Sequence, residues 1–212
     1  MIGIFVVSAE SEKAPKIDDF QTTEDWMQVD LRRGLTPDAE EQALELGTKI
    51  GRFMPNYIVM SPAWRIEQTL QLAFEFVTIT KRTKTLLYYP RAVQGTFFAR
   101  LAQTIQPKTY QAMVKADPTH TLAQTYCAEI VRDIMPEIRT QTGSSFVFGG
   151  HRILTQGIAL ALLDASRPSL ADPTEFRESR KETYEKLWSL EMTSPCSAFS
   201  LDFPSGMLEV IH

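Results

Sequence analysis

Residues 57–69 read YIVMSPAWRIEQT, and this stretch decides the fold class. Tyr57–Met60 is a short, continuously apolar run of the kind that forms a strand buried on both faces of a parallel sheet. Ser61 and Pro62 then start a helix, with serine as the cap and proline at the first helical position. Ile66, Leu70, Ala73 and Val77 recur at helical spacing and predict its core face. A buried strand feeding a capped amphipathic helix is the building unit of an α/β domain.

The same unit recurs on either side. Ile2–Val7 (IGIFVV) predicts a first buried strand, and the polar stretch 8–25 predicts a loop. Thr36 as N-cap, Pro37 at the first position and Asp38, Glu40 and Glu41 in the first turns predict a helix start. Ala39, Ala43, Leu46, Ile50 and Phe53 form its apolar stripe, and Pro55-Asn56 ends it. Residues 85–89 (TLLYY) predict a third strand. The region 91–141, interrupted at Pro107 and Pro118, has no strand signal and predicts a helical insertion over one face of the sheet. Its Phe97, Phe98, Tyr110 and Tyr126 read first as packing residues, with a pocket lining as the alternative. Residues 145–148 (SFVF) predict a fourth strand that runs through Gly149-Gly150 into His151 and an apolar helix over 153–163. A charged surface helix over 175–188 follows, and then a closing hairpin whose turn is Pro204-Ser205-Gly206. The order predicts a three-layer αβα sandwich with a mostly parallel sheet, built as one domain over 1–212 with a cap insertion at about 91–141.

Composition bounds the function. The chain has 212 residues, enough for a core that needs no disulfide support. Cys127 and Cys196 are too few for a disulfide framework or a cysteine metal site, and no cofactor is implied. A reducing, cytoplasmic setting follows as the expectation. A net charge of −4 argues against a nucleic-acid partner, which would call for clustered Lys and Arg. No apolar run approaches the roughly 20 residues that span a bilayer, so no membrane partner is expected. The apolar opening lacks a basic leader and reads as a strand. Self-association stays open.

In an open α/β sheet, ligands bind beyond the carboxyl ends of the strands. The residues there are Ser8-Ala9-Glu10, Ser61 to Arg65, Pro90-Arg91 and Gly149 to Arg152. Ser61 at a helix start with Arg65 in the first turn makes an anion site. The plain alternative is that Ser61 is only a cap and Arg65 a solvated charge. His151, straight after a glycine pair at a strand end, is placed to approach a ligand, although a lone histidine is more often structural. His120 and His212 have no comparable setting.

Taken in order, these segments resemble the histidine phosphatase (phosphoglycerate mutase-like) superfamily. Leu35-Thr36, Gln42-Ala43 and Leu46-Gly47 are similar to its "LT..G..QA..LG" helix. Residues 57–69 are similar to its "v.sSpl.Ra.qTa" segment, and residues 146–163 to its "vvsHG..ir.ll" segment. The closing hairpin and the variable cap are shared as well. The resemblance implies a phosphoryl site in which the first strand ends in Arg-His-Gly and that histidine becomes phosphorylated. A second histidine and two arginines would hold the phosphoryl oxygens, with a carboxylate after the third strand as the acid.

Carried over residue by residue, Arg65 matches the second phosphate-binding arginine and His151 the second histidine, followed by Arg152 in place of the usual glycine. Arg91 matches an arginine that follows the acid. Val7-Ser8-Ala9 stands where Arg-His-Gly belongs, and Pro90 stands in the place of the acid. A serine hydroxyl cannot take up and release a phosphoryl group without a base. The missing arginine removes charge stabilisation from the phosphoryl group in flight.

The resemblance therefore implies a degenerate member, inactive or strongly altered. It would keep a partial pocket of Ser61, Arg65, Arg91, His151 and Arg152 for phosphate or a phosphorylated small molecule. The alternative is an active phosphatase or mutase-like enzyme with a non-standard nucleophile, in which His151 itself attacks or Glu10 assists; a third reading has Ser8 as nucleophile with His151 as its base.

Overall fold

The structure, a computed structural model, describes residues 1–75, 81–84, 108–117, 121–140, 145–192 and 194–211. Strands β1 (Ile2–Val7), β2 (Tyr57–Met60), β3 (Lys81–Lys84), β4 (Ser145–Gly150), β5 (Ala198–Asp202) and β6 (Met207–Ile211) form one sheet in the order β3-β2-β4-β1-β5-β6. β3, β2, β4 and β1 are mutually parallel, whereas β5 and β6 run antiparallel as a hairpin on the β1 edge. Gly206, at φ +74°, supplies the left-handed position that the hairpin turn requires.

The strand period of two sorts side chains into two layers. Ile4, Val6, Ile58, Met60 and Val147 point to one side, where they meet Leu46 and Ile50 of α2 (Ala39–Ile50) and Ile66 and Leu70 of α3 (Trp64–Ala73). Phe5, Val7, Tyr57, Val59, Phe146 and Phe148 point to the other side. There they meet α4 (Tyr110–Ala116), α5 (Leu122–Thr140), α6 (Leu154–Ala165) and Leu187 of α8 (Lys181–Ser189). The result is the expected αβα sandwich with a mostly parallel sheet. Tyr110 and Tyr126 are buried in this second layer, and Tyr110 packs on Trp188 at 5.0 Å between ring centroids. Among the described residues, no helix is long and apolar enough to cross a membrane.

Several local expectations are corrected. The stretch read as loop contains the start of α1 (Thr23–Arg32), where Thr22 is the N-cap and its hydroxyl accepts from Asp25 N–H at 3.1 Å. Thr36 does not cap α2, which begins at Ala39. Its N–H instead donates to Glu10 O at 3.0 Å, tying it across to the loop after β1. α3 likewise starts two residues later than expected: Ser61 precedes its N-cap, Ala63, and accepts from Ala63 N–H at 3.3 Å. The charged helix is two helices, α7 (Pro173–Ser179) and α8, broken at Arg180. The third strand expected at 85–89 lies outside the described residues, as do Phe97 and Phe98. The described strand β3, with the polar sequence KRTK, sits at the sheet edge, where an apolar run is not needed.

Candidate anion site

The site is built at the carboxyl ends of β1, β2 and β4. β1 and β4 pair in parallel with Val7 opposite Gly150, so Ser8 and His151 leave adjacent strands side by side. Ser61 leaves β2 next to them, and its N–H donates to Gly149 O at 2.9 Å. Both glycines lie inside β4 rather than in a turn, and their lack of a side chain allows close packing. A Cβ on Gly149 would come within 2.5 Å of Leu70 Cδ1, so α3 rests directly on the strand that presents His151. The tight turn falls instead on Ile153, at φ +58°, a strained position for a β-branched residue, two residues after His151.

Three of the expected residues come together. Ser61 Oγ lies 3.2 Å from His151 Nε2. On the other side of the ring, Arg65 Nη2 lies 3.4 Å from Nδ1. A guanidinium has only donors, so Nδ1 accepts from it and Nε2 carries the proton that goes to Ser61. Burial, and after it the positive charge of Arg65, pushes the imidazole pKa from 6.5 down to about 3; Asp30 works against the shift and Arg33 adds to it. The ring is thus neutral near pH 7, with both nitrogens engaged.

Sequence reading passed over Asp30 and Arg33, which complete the cluster. Asp30, at the end of α1, is 2% exposed, and Arg65 is 5% exposed. Arg65 donates from Nη1 to Asp30 O at 2.6 Å and from Nη2 to Asp30 Oδ2 at 2.9 Å. Arg33 reaches Asp30 Oδ1 through Nε at 2.8 Å and Nη2 at 2.7 Å. The only sequence signal was an acid and a base three residues apart, a spacing that ordinarily reads as a solvated helix pair.

A second layer of hydrogen bonds positions the cluster. Thr69 Oγ1 donates to Arg65 O at 2.7 Å and accepts from Ala9 N–H at 3.0 Å. Gln42 accepts from Glu10 N–H at 3.2 Å, Gln68 accepts from Leu35 N–H at 3.1 Å, and Ser11 bridges Leu35. The loops over 8–12 and 33–36 are therefore stitched to α2 and α3. The hydroxyl-bearing residue Ser8 is half-buried, and its carbonyl accepts from Cys196 N–H at 2.9 Å. Arg152 is exposed at the turn into α6, and Arg91 lies outside the described residues. Among the described residues, no group of three or more His, Cys, Asp or Glu is arranged to hold a metal.

The sequence matches no protein-family model and no curated protein. Solved structures do match along nearly the whole length. The putative alpha-ribazole-5'-P phosphatase of Escherichia coli aligns with a TM-score of 0.56 and 14% identity over 100% of this chain and 96% of that one. The native mycobacterial glucosyl-3-phosphoglycerate phosphatase aligns with a TM-score of 0.55 and 15% identity over 99% and 96%. The fold is that of the histidine phosphatases. A further match is the mycobacterial enzyme in complex with inorganic phosphate, with a TM-score of 0.52 and 14% identity over 100% and 95%. In this histidine phosphatase fold, Arg65 and His151 sit at the strand ends, where an open α/β sheet takes its ligands. Asp30, Arg33 and Ser61 are the groups that contact them.

Proposed function

We propose that this protein uses the histidine phosphatase fold to bind an anion, phosphate or a phosphorylated small molecule, and does not hydrolyse phosphate esters by the phosphohistidine route. The observation that carries the reading is the environment of His151. Its Nδ1 is taken by Arg65 and its Nε2 by Ser61, so neither nitrogen has a lone pair aimed at a substrate. On the neighbouring strand end, the place that the resemblance assigns to the attacking histidine holds Ser8. With the proton on Nε2, His151 cannot serve as base for a serine hydroxyl through that nitrogen, which removes the Ser–His route as well. Arg65, with Arg33 beside it on Asp30, supplies the positive charge of the site. Arg152, exposed at its rim, and Arg91 are further candidate phosphate contacts.

The test pairs turnover with binding. The protein is assayed on an aryl phosphate beside an ordinary histidine phosphatase, and phosphate binding is measured by calorimetry with and without Arg65→Met. Negligible turnover, with phosphate binding that Arg65→Met abolishes, is the expected outcome. Turnover comparable to the reference enzyme and abolished by His151→Ala, or a phosphoryl group trapped on His151 or Ser8, would replace this reading with an enzyme using a non-standard nucleophile.

A further inference from the structure

We infer that the Asp30 carboxylate is a built-in occupant of the anion site, so that an external anion binds only by displacing it and loosening α1. The inference rests on the reading of the Arg65 cluster as an anion site. Both Asp30 carboxylate oxygens are paired to guanidinium groups: Oδ1 to Arg33 at 2.7 and 2.8 Å, and Oδ2 to Arg65 at 2.9 Å. A carboxylate held between two planar forks uses the same donors, at the same lengths, that would hold two oxygens of a phosphate. Arg65 cannot offer those donors to a ligand while Asp30 holds them. With His151 neutral, Asp30 offsets one of the two guanidinium charges. Without it the pocket would present two neighbouring cations; Glu12 meets Arg33 through its carbonyl, while its carboxylate accepts from Gly34 N–H at 3.2 Å.

The helix that carries this carboxylate is lightly held. Among the described side chains of α1, Trp26 and Asp30 are buried, while Val29 is 45% exposed. Trp26 anchors the middle of the helix, with its indole N–H donating to Pro15 O at 2.9 Å, and Leu31 packs at the edge of the α2–α3 layer. The end of α1 is therefore tied to α3 through Arg65, which holds both the carboxylate and the carbonyl of Asp30. An anion that takes over the Arg33 and Arg65 donors now held by the carboxylate weakens that tie to the carbonyl contact alone, which couples binding to movement of α1.

The experiment titrates inorganic phosphate into the wild-type protein, Asp30→Ala and Asp30→Asn, with Asp30→Ala/Arg65→Met as the control. Binding is read by calorimetry, and thermal unfolding is followed in parallel. Asp30→Ala is expected to bind phosphate at least about tenfold more tightly than wild type, with Asp30→Asn between the two and the control without binding. At a phosphate concentration of about ten times its Kd, the Tm of Asp30→Ala should rise by roughly 3–6 °C. If either single variant is unfolded without phosphate, refolding on its addition supports the inference, and no effect of phosphate overturns it. Equal affinity in wild type and Asp30→Ala overturns the internal occupant and leaves the anion site standing. Absence of phosphate binding in wild type and both single variants overturns the anion site and the inference together.

Discussion

His151 should make the protein acid-sensitive in a defined window, and the size of the effect follows from its surroundings. In the unfolded chain the imidazole takes up a proton as the pH falls through 6.5, whereas in the folded protein it resists protonation down to about 3. The unfolded state therefore binds more protons between these values, and stability rises with pH across that window. Above 6.5 the effect is gone, and toward 3 the penalty reaches its maximum. At about pH 5 the ratio of proton-binding terms is roughly thirtyfold, equivalent to about 2 kcal/mol. The half-buried state of the residue lowers the expected loss to about 1–2 kcal/mol. Urea unfolding of wild type and His151→Gln at about pH 7 and pH 5 isolates this contribution, because the variant keeps a donor for Ser61 and lacks the titrating ring. Wild type should lose more stability than the variant by that amount. NMR titration of the ring gives a direct check. A midpoint near 6.5, or equal acid losses in the two proteins, would refute the argument that burial and Arg65 hold the ring neutral.

Three further outcomes test the scaffold. Thr69→Val removes the acceptor for Ala9 N–H and the donor to Arg65 O, and should cost about 1–3 kcal/mol by urea unfolding. Gly47→Ala places a Cβ 2.2 Å from Ala73 O, so α2 and α3 must separate; a loss of at least about 1–3 kcal/mol is expected in the same assay. Ser8→His should not restore aryl phosphate hydrolysis, since Arg65 stays paired to Asp30 and Val7 stands beside the new imidazole. A gain above about a hundredfold in kcat/KM would mean that the missing charge stabilisation is not limiting.

Much of the fold was legible because its signals are local. Four-residue apolar runs such as Tyr57–Met60 mark strands buried on both faces, and the stripe of Ala43, Leu46 and Ile50 marks a helix packed on one side. Helix starts were legible only to within a few residues. Ser61 and Thr36 look like caps in sequence, yet tertiary partners claim both: His151 for the Ser61 hydroxyl and Glu10 for the Thr36 N–H. The start of α1 was missed because a stretch carrying Thr22, Glu24 and Asp25 reads as polar loop before it reads as a capped helix.

The candidate site divides along the same line. Sequence order alone placed Ser8, Ser61, Arg65 and His151 at the ends of neighbouring parallel strands, because strand ends in an α/β sheet converge whatever else the chain does. Only the tertiary structure decided what those residues do to one another. Whether Arg65 is a free cation or a paired one depends on Asp30, 35 residues earlier on a separate helix, and the proton position on His151 depends on which side of the ring Arg65 lies. Such long-range electrostatic pairings leave no periodic trace in the sequence.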